Sequence, residues 1–558
     1  MTARPPAIAP GDVRIGVDVG STNTDAVAVA GTRVIASVKR PTTGEVGEGI
    51  VDALGALLER LPTHREAVAA VMVGTTQFVN ALVQAKDLAT TGVLRIGLPS
   101  TAALPPLVDW PPRLRRAIGD VVCLCRGGHE YDGSTIAPLD REAVRRAGEQ
   151  MAERGVTSVA ITSVFSPLNP EHELEAAALL QDVLHGVEVT LSSDIGRIGL
   201  LERENATIVN ASLRRLAAST VAALERAIES VGLSAPLFVS QNDGTVMNAD
   251  YARRFPVATF ASGPTNSIRG AAFLSGLSDA AVIDVGGTTA DVGMLVKGFP
   301  RPAPLVVEVA GVRTNFRMPD VLSLGIGGGS VVRGPWEELR TGRPRPASDG
   351  GAAAAEPEIG PDSVGYELAR KALVFGGDTL TATDLAVALG RLDLGDRALV
   401  AHVPKDFVEA AWARIQSRLA GGLDRMRTSP EPVAVVAVGG GSALVEEELP
   451  GAAKVLRVDH GEVANAVGAA MAQIGAEVDR IVHVGSAGRR AAVEEVAADA
   501  ARRAVESGAR EESVQIVEVE EIPISYLPGD ALRVRVKAVG SLAPLVPGEG
   551  RSREGRSR

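Results

Sequence analysis

Two stretches carry one pattern of carboxylate, glycine and hydroxyl: Asp18-Val19-Gly20-Ser21-Thr22-Asn23-Thr24-Asp25 near the start and Asp284-Val285-Gly286-Gly287-Thr288-Thr289-Ala290-Asp291 in the middle. Both read D-V-G-x-T-x-x-D with an apolar run on either side, so each predicts a strand, a turn of small residues and a second strand. Glycine at such a turn lets backbone N–H groups come close to phosphate oxygens. A carboxylate at the end of the first strand can hold Mg²⁺ through water. One such turn is readily a plain hairpin. A structural turn has no reason to recur with both carboxylates and the threonine in register, so the pair points to duplicated halves facing each other across one nucleotide.

That arrangement resembles the actin, hexokinase and Hsp70 ATPases. The expected fold class is α/β: two actin-like (ribonuclease H-like) ATPase halves around a nucleotide cleft, plus a small α+β C-terminal domain. A second glycine turn, Gly439-Gly440-Gly441-Ser442, follows an apolar strand where that superfamily packs the adenosine. A third, Gly325-Ile326-Gly327-Gly328-Gly329-Ser330, comes soon after the second hairpin, and its order in the chain places it beside the phosphates or an acyl substrate.

The elements that must position these residues are readable from periodicity. From Arg14 to about Val38 the pattern is three strands, followed by a helix from about Glu45 to Arg60 with Val46, Ile50, Val51, Leu54, Leu57 and Leu58 at helical spacing. A buried strand through Ala70-Val71-Met72-Val73 ends in Gly74-Thr75-Thr76, and a helix starts near Gln77. Further on come a helix over 141–153, a strand from Val156 to Phe165, a strand from Val187 to Leu191 and a long helix from about Glu202 to Val231 that would join the halves. The second half would begin with the strand Leu237–Ser240. Val433–Val438 reads as a buried strand and Ala464–Ile474 as a small-residue helix. Residues 337–363, rich in Gly, Pro, Ala and Arg, read as a surface loop. A tail of helix and strands is expected over 481–547, with residues 1–13 and 548–558 disordered.

At 558 residues the chain is too long for one core and predicts about three or four domains. It is 45% hydrophobic and 22% charged, the composition of a soluble globular protein, and its net charge of −11 argues against a nucleic-acid or membrane-surface partner. No apolar run reaches the roughly 20 residues needed to span a bilayer, and the opening lacks a signal peptide's apolar stretch, so the expected location is cytoplasmic. Cys123 and Cys125 are the only cysteines, too few for a structural zinc site, and read as reduced thiols in or beside a strand. His129 and His172 read as surface residues, while His460 falls near the expected cleft.

The stretches RIGVDVGSTNTD, VGTTQFVNAL, SPLNPEHE, LERENATIVNASL, SQNDGTVM, TFASGPTNSIRGA, IDVGGTTADV and LGIGGGS, in that order, resemble the hydantoinase A/5-oxoprolinase family over about residues 14 to 475. The resemblance implies an N-terminal family domain over 14–200 and a core ATPase domain over 201–480. It implies ATP and Mg²⁺ as cofactors and an ATP-dependent hydrolase that opens the C–N bond of a cyclic amide, such as hydantoin, 5-oxoproline or a related lactam. Phosphorylation of the resonance-stabilised carbonyl oxygen would make an activated imidate that water can attack. On this reading Asp18 and Asp284 position the metal, and Gly20, Ser21, Thr22, Asn23, Thr24, Gly286, Gly287, Thr288 and Thr289 hold phosphate. Asp291 is a candidate base or second metal partner. Thr75, Thr76, Asn80, Asn242, Asp243 and Arg269 are candidates for contact with substrate, although Asn242-Asp243-Gly244 is first a natural β-turn and Arg269 could instead cap a helix.

Two histidines of the family pattern are missing. Val73 stands where many members have the histidine of H-G-T-T, and Leu322 where they have that of D-x-H-x-x-G. A metal-ligating or proton-shuttling role at those positions cannot be filled here in the same way. That departure favours an alternative, an ATP-binding subunit of a two-component hydrolase or carboxylase with a hydantoinase B-like partner in an oligomer. A small-molecule kinase of the same fold is the further alternative.

Overall fold

Alternating small and β-branched residues around Gly20 build the first hairpin, in which β1 (Val13–Val19) and β2 (Asn23–Ala30) pair antiparallel and β3 (Arg33–Pro41) continues the meander. The computed structural model describes residues 11–20, 23–42, 46–195, 198–303, 306–334, 356–484, 488–524 and 531–542. Both faces of the hairpin are covered. Ile15, Val17, Ala26 and Ala28 pack beneath Ile50, Leu54 and Leu57 of helix α1 (Val46–Arg60), while Val27 and Val29 meet Ala466, Val467 and Ala470 on the other side. Burial at this density is what holds two strands rich in valine and alanine in one register. Val51 turns outward.

Strand β4 (Val68–Thr75) lies parallel to β1 and delivers Thr75 to the start of helix α2 (Gln77–Gln84). The chain then leaves this sheet. Strands β5 (Thr91–Leu98), β6 (Val121–Arg126), β7 (Ser158–Ser163) and β8 (Glu188–Leu191) form a separate parallel sheet of order β6-β5-β7-β8, with helices α3 (Arg141–Glu153) and α4 (Glu171–Val183) packed on it. The free cysteines Cys123 and Cys125 are buried on β6. The long helix α5 (Leu200–Ser230) anchors the inserted sheet through a buried ion pair: Arg95 Nε donates to Glu204 Oε1 over 2.7 Å.

Helix α5 does not lead into the second half, as its length suggests. Strand β9 (Leu237–Ser240) pairs parallel with β4, Val71 opposite Leu237, and β10 (Val246–Asn248) follows beside it in the first sheet. Helix α6 (Ser262–Ser275) then carries the chain across, and the second half's main sheet begins at Ala280. It contains β11 (Ala280–Val285), β12 (Ala290–Val296), β13 (Phe299–Pro300) and, after the small hairpin β14 (Val307–Val309) and β15 (Val312–Thr314), strand β16 (Val321–Leu324) against β12. Strands β17 (Ser330–Arg333) and β18 (Glu358–Ser363) pair with each other, so the end of the stretch expected as a loop over 337–363 is a strand; residues 335–355 lie outside the described residues. Helix α7 (Lys405–Met426), β19 (Val433–Val438) and β20 (Ala452–Arg457) complete this half.

Helix α8 (Ala464–Met471) returns the chain to the first half. It ends three residues earlier than its small-residue composition suggests, because Ile474 opens β21 (Ile474–His483). Helix α9 (Gly488–Glu506) and strands β22 (Gln515–Pro523) and β23 (Ala531–Gly540) follow, and the tail strands extend the first sheet to nine, in the order β22-β23-β21-β10-β9-β4-β1-β2-β3. The two halves are thus joined by α6 and α8, which cross at backbone contact. A methyl group at Gly270 would overlap the carbonyl oxygen of Ala464, and one at Gly468 that of Asn266. Among the described residues no helix is long and apolar enough to cross a membrane.

Candidate functional site

The turn chemistry of both hairpins is the same. Gly20 N donates to Asn23 O over 3.0 Å in the first, and Gly286 N to Thr289 O over 2.9 Å in the second. Strand register then sets the two aspartates of each motif directly opposite one another, Asp18 facing Asp25 and Asp284 facing Asp291. Ser21 and Thr22 lie outside the described residues; Thr24 is fully buried and Asn23 half-buried.

The crossing helices bring the hairpins to one site. Asn465 of α8 donates from Nδ2 to Asp18 Oδ2 over 3.3 Å, and the Ser267 hydroxyl of α6 lies within hydrogen-bond reach of both Asn465 Oδ1 and Asp284 Oδ2, two acceptors that share its one proton. One hydrogen-bonded bridge therefore runs from Asp18 through Asn465 and Ser267 to Asp284. Close approach on this side needs glycine as well: a side chain at Gly74 would collide with Asn266 Nδ2 and Asp18 Oδ1.

Negative charge at this site is only partly compensated, by Lys39 against Asp25 over 2.8 Å. Burial, and then the Asp25 carboxylate, push Asp18 up to about 7 against the Asn465 hydrogen bond. Burial pushes Asp284 up to about 6 against the Ser267 hydrogen bond, and Asp291 adds to the rise. Asp25 and Asp291 are also raised, chiefly by burial, with Lys39 opposing the rise at Asp25 and Ser323 at Asp291. A cation placed among these carboxylates would relieve both the desolvation and the mutual repulsion. Among the described residues no cluster of three or more His, Cys, Asp or Glu stands ready to hold a metal on protein ligands alone.

The other glycine turns have different duties. Gly328 N and Gly329 N donate to the carbonyls of Gly286 and Gly287 over 2.9 and 2.8 Å, and Gly327 N donates to Ser330 Oγ over 2.8 Å. The amides of Gly327, Gly328 and Gly329 are therefore already committed, and this turn props up the second hairpin rather than offering N–H groups of its own. The amides of Gly287 and Thr288 at the supported tip have no protein acceptor among the described residues. In the remaining turn, Gly439 N donates to Gly461 O, Gly441 N to Val285 O and Ser442 N to Gly439 O. A side chain at Gly439 would strike Asp284 Oδ1, whereas Gly440 faces open space. His460, with a left-handed φ of 62°, sits in the turn that supplies Gly461.

The expected substrate residues divide into two groups. Thr75 is buried beside Asp18's strand, with its Oγ1 accepting from Gln77 N and its carbonyl from Ser262 Oγ; Thr76 Oγ1 accepts from the exposed Asn80. Asn242, Asp243 and Arg269 are held elsewhere. Asn242 donates to Val257 O and accepts from Ala261 N, and Asp243 pairs with the buried Lys537 over 2.8 Å. Burial alone would raise Asp243, but Lys537 and then Arg317 hold it well below the usual carboxylate range. Arg269 donates to Gly298 O and stacks 4.4 Å from the Phe299 ring centroid. Asn242 and Asp243 line a cavity of about 790 Å³ between the inserted sheet and the tail, with Arg317, Phe316 and Tyr251.

His129 and His172 are buried, contrary to the expectation of surface residues. Gly127 and Gly128, at φ of 141° and 99°, turn the chain after β6 so that His129 folds inward, its ring centroid 4.4 Å from that of His172, whose Nδ1 accepts from Gly128 N. Sequence reasoning missed Lys39, Ser267, Asn465 and Asp25 as members of the carboxylate site. For Asp25 the signal was available in counting outward from the Gly20 turn; counting from the Gly31 turn would have set Val38 opposite Asp25, because an irregularity at Ala28–Val29 shifts the β2–β3 register by one and brings Lys39 there instead.

Comparison with known proteins gives the family and the fold. The model of the hydantoinase/oxoprolinase N-terminal region matches residues 14–184, and that of hydantoinase/oxoprolinase matches residues 203–502. The chain is 28% identical over 436 residues to the caprolactamase subunit alpha of Pseudomonas jessenii, covering 73% of this chain and 58% of that one. It is 26% identical over 283 residues to the acetophenone carboxylase gamma subunit of Aromatoleum aromaticum, covering 49% of this chain and 36% of that one. It thus spans less than two thirds of the length of these relatives. The crystal structure of the ATP-dependent caprolactamase from Pseudomonas jessenii shares the fold, with a TM-score of 0.71 at 20% identity over 98% of this chain and 90% of that one. With matched segments that run from the first hairpin through the second and on past the returning helix, the chain belongs to the hydantoinase/oxoprolinase family.

Proposed function

We propose that this chain binds Mg–ATP between the two hairpins and transfers the terminal phosphoryl group to the carbonyl oxygen of a small cyclic amide, as the ATP-using subunit of a two-component hydrolase. The bridge Asp18–Asn465–Ser267–Asp284 carries this reading, because it sets one carboxylate from each half at a single point. The residues present suit the nucleotide and its metal: four carboxylates short of positive charge, uncommitted amides at Gly287 and Thr288, and an open flank at Gly440. When bound, ATP supplies the phosphoryl group and Mg²⁺ neutralises charge on it.

The chain's own residues do the positioning. Asp18 and Asp284 would hold the ion, the Gly287 and Thr288 amides would take phosphate oxygens, and Asn465 and Ser267 would fix the two carboxylates relative to each other. As the bond from the terminal phosphorus to its bridging oxygen breaks, that oxygen keeps the electron pair and leaves with ADP. The carbonyl oxygen forms the new bond to phosphorus, and the ring carbon becomes open to water. Thr75 and Thr76, beside Asp18's strand and the start of α6, are the side chains proposed to meet the amide.

The relation to a carboxylase subunit favours a second reading of the same site, in which the phosphoryl group goes to a ketone-derived oxygen. The test is Mg²⁺-dependent ATP turnover by the purified chain, alone and with a hydantoinase B-like partner, across hydantoin, 5-oxoproline, larger lactams and aryl ketones. Stimulation by a lactam with release of the ring-opened amino acid is the expected result. Stimulation by ketone and bicarbonate only would replace the hydrolase with the carboxylase reading, and accumulation of a stable phosphorylated product would identify a kinase.

A further inference from the structure

Strand register arranges each half of the site as a row of four residues. In the first sheet Gly74, Asp18, Asp25 and Lys39 stand at matched positions across β4, β1, β2 and β3. In the second, Val438, Asp284, Asp291 and Ser323 stand at the corresponding positions across β19, β11, β12 and β16. Directly opposed residues on neighbouring strands point to one face, so each row presents its polar members together. The rows agree in their two aspartates and differ at the ends, where Gly74 stands against Val438 and, among the polar members, Lys39 against Ser323. Lys39 Nζ lies 2.8 Å from Asp25 Oδ2, where Ser323 Oγ lies 2.5 Å from Asp291 Oδ1.

This difference breaks the symmetry of the duplicated hairpins with a full positive charge. Among the described residues the Lys39 charge acts on Asp18, Asp25 and Asp284 together. Its side chain is 37% exposed while that of Asp25 is 12% exposed, so the lysine borders solvent whereas the carboxylate does not. Asp25 Oδ1 is buried with no partner among the described residues, so the pair leaves the aspartate half-satisfied. A lysine is a compact charge on a flexible stem, able to change partner without moving the backbone.

We infer that Lys39 is a catalytic residue of the first half that leaves Asp25 to contact the terminal phosphoryl group of the bound nucleotide, a contact Ser323 cannot supply from the other half. The inference rests on the proposed nucleotide site. In it, the ammonium neutralises the oxygens of the phosphoryl group in transit, and no proton need change hands.

The experiment compares equilibrium binding of Mg–AMPPNP and Mg–ADP to the full chain and its Lys39→Met variant. The wild type should prefer the triphosphate analogue. In Lys39→Met that preference should fall by at least about tenfold, with ADP affinity held within about threefold, as expected for loss of one charge-assisted contact. Lys39→Arg should keep most of it. Because Lys39→Met leaves Asp25 without its partner, the double variant Asp25→Asn/Lys39→Met, checked for a native thermal transition, should show the same loss. An unchanged preference in a folded variant would overturn the inference while leaving the nucleotide site standing. Equal wild-type affinity for both nucleotides would also overturn it, and binding of neither would overturn the nucleotide reading and the inference together.

Discussion

Asp18→Asn should lower Mg²⁺-dependent ATP turnover by at least about 10³-fold, the scale expected when a metal-positioning charge is removed from a phosphoryl-transfer site. It should at the same time make the ligand-free protein more stable. Asp18 titrates at about 7 in the fold against an ordinary 3.8, with burial the main cause and Asp25 next. A raised carboxyl means that the folded state binds the proton more tightly than the unfolded chain does. Its ionisation therefore costs stability, fully above pH 7 and progressively less as pH falls from 7 toward 4. Asn465 can still face an amide at this position, so the fold loses little. Chemical denaturation at pH 8 should show a gain on the order of 1 to 3 kcal/mol for the variant, vanishing near pH 4. Loss of turnover accompanied by loss of stability at pH 8 would mean that Asp18 is structural, and turnover within tenfold of wild type would remove it from the site.

Gly468→Val should cost at least about 3 kcal/mol of stability, because the new side chain would overlap backbone in the partner helix and cannot be accommodated by a rotamer change alone. Even a methyl group at 468 would meet the Asn266 carbonyl and the Gly270 amide nitrogen. Separating α8 from α6 would also pull Asn465 away from Ser267, so the residual folded protein should bind nucleotide poorly. Thermal and urea denaturation of Gly468→Val beside Gly421→Val, a helical glycine with open space around it, separates overlap from lost glycine flexibility. Equal effects of the two substitutions would show that the crossing is looser than described.

Much of the candidate site was legible because its residues lie close together in sequence. The two hairpins are fixed by their own turns, and a run such as Asp284-Val285-Gly286-Gly287 carries the carboxylate, the strand and the turn in consecutive residues. What could not be read depends on how distant elements meet. Asn465 looked like one more small residue of a packing helix, and only the crossing at Gly270 and Gly468 brings it to Asp18. The glycines at 327–329 were expected beside the phosphates or an acyl substrate, since composition does not reveal that their amides are spent on Gly286, Gly287 and Ser330. Strand Leu237–Ser240 looked like the opening of the second half until its pairing with β4 placed it in the first. His129 and His172 looked exposed, one in a glycine loop and one at a helix start, while Gly127 and Gly128 turn His129 inward against His172.

The central claim is that one nucleotide is held jointly by both hairpins. Hydrogen–deuterium exchange of the full chain with and without saturating Mg–AMPPNP tests it most directly. Protection should appear together over 13–30, 281–292 and 436–444, with the strands around the 790 Å³ cavity unchanged. Protection confined to one half, or to the cavity lined by Asn242 and Arg317, would contradict it.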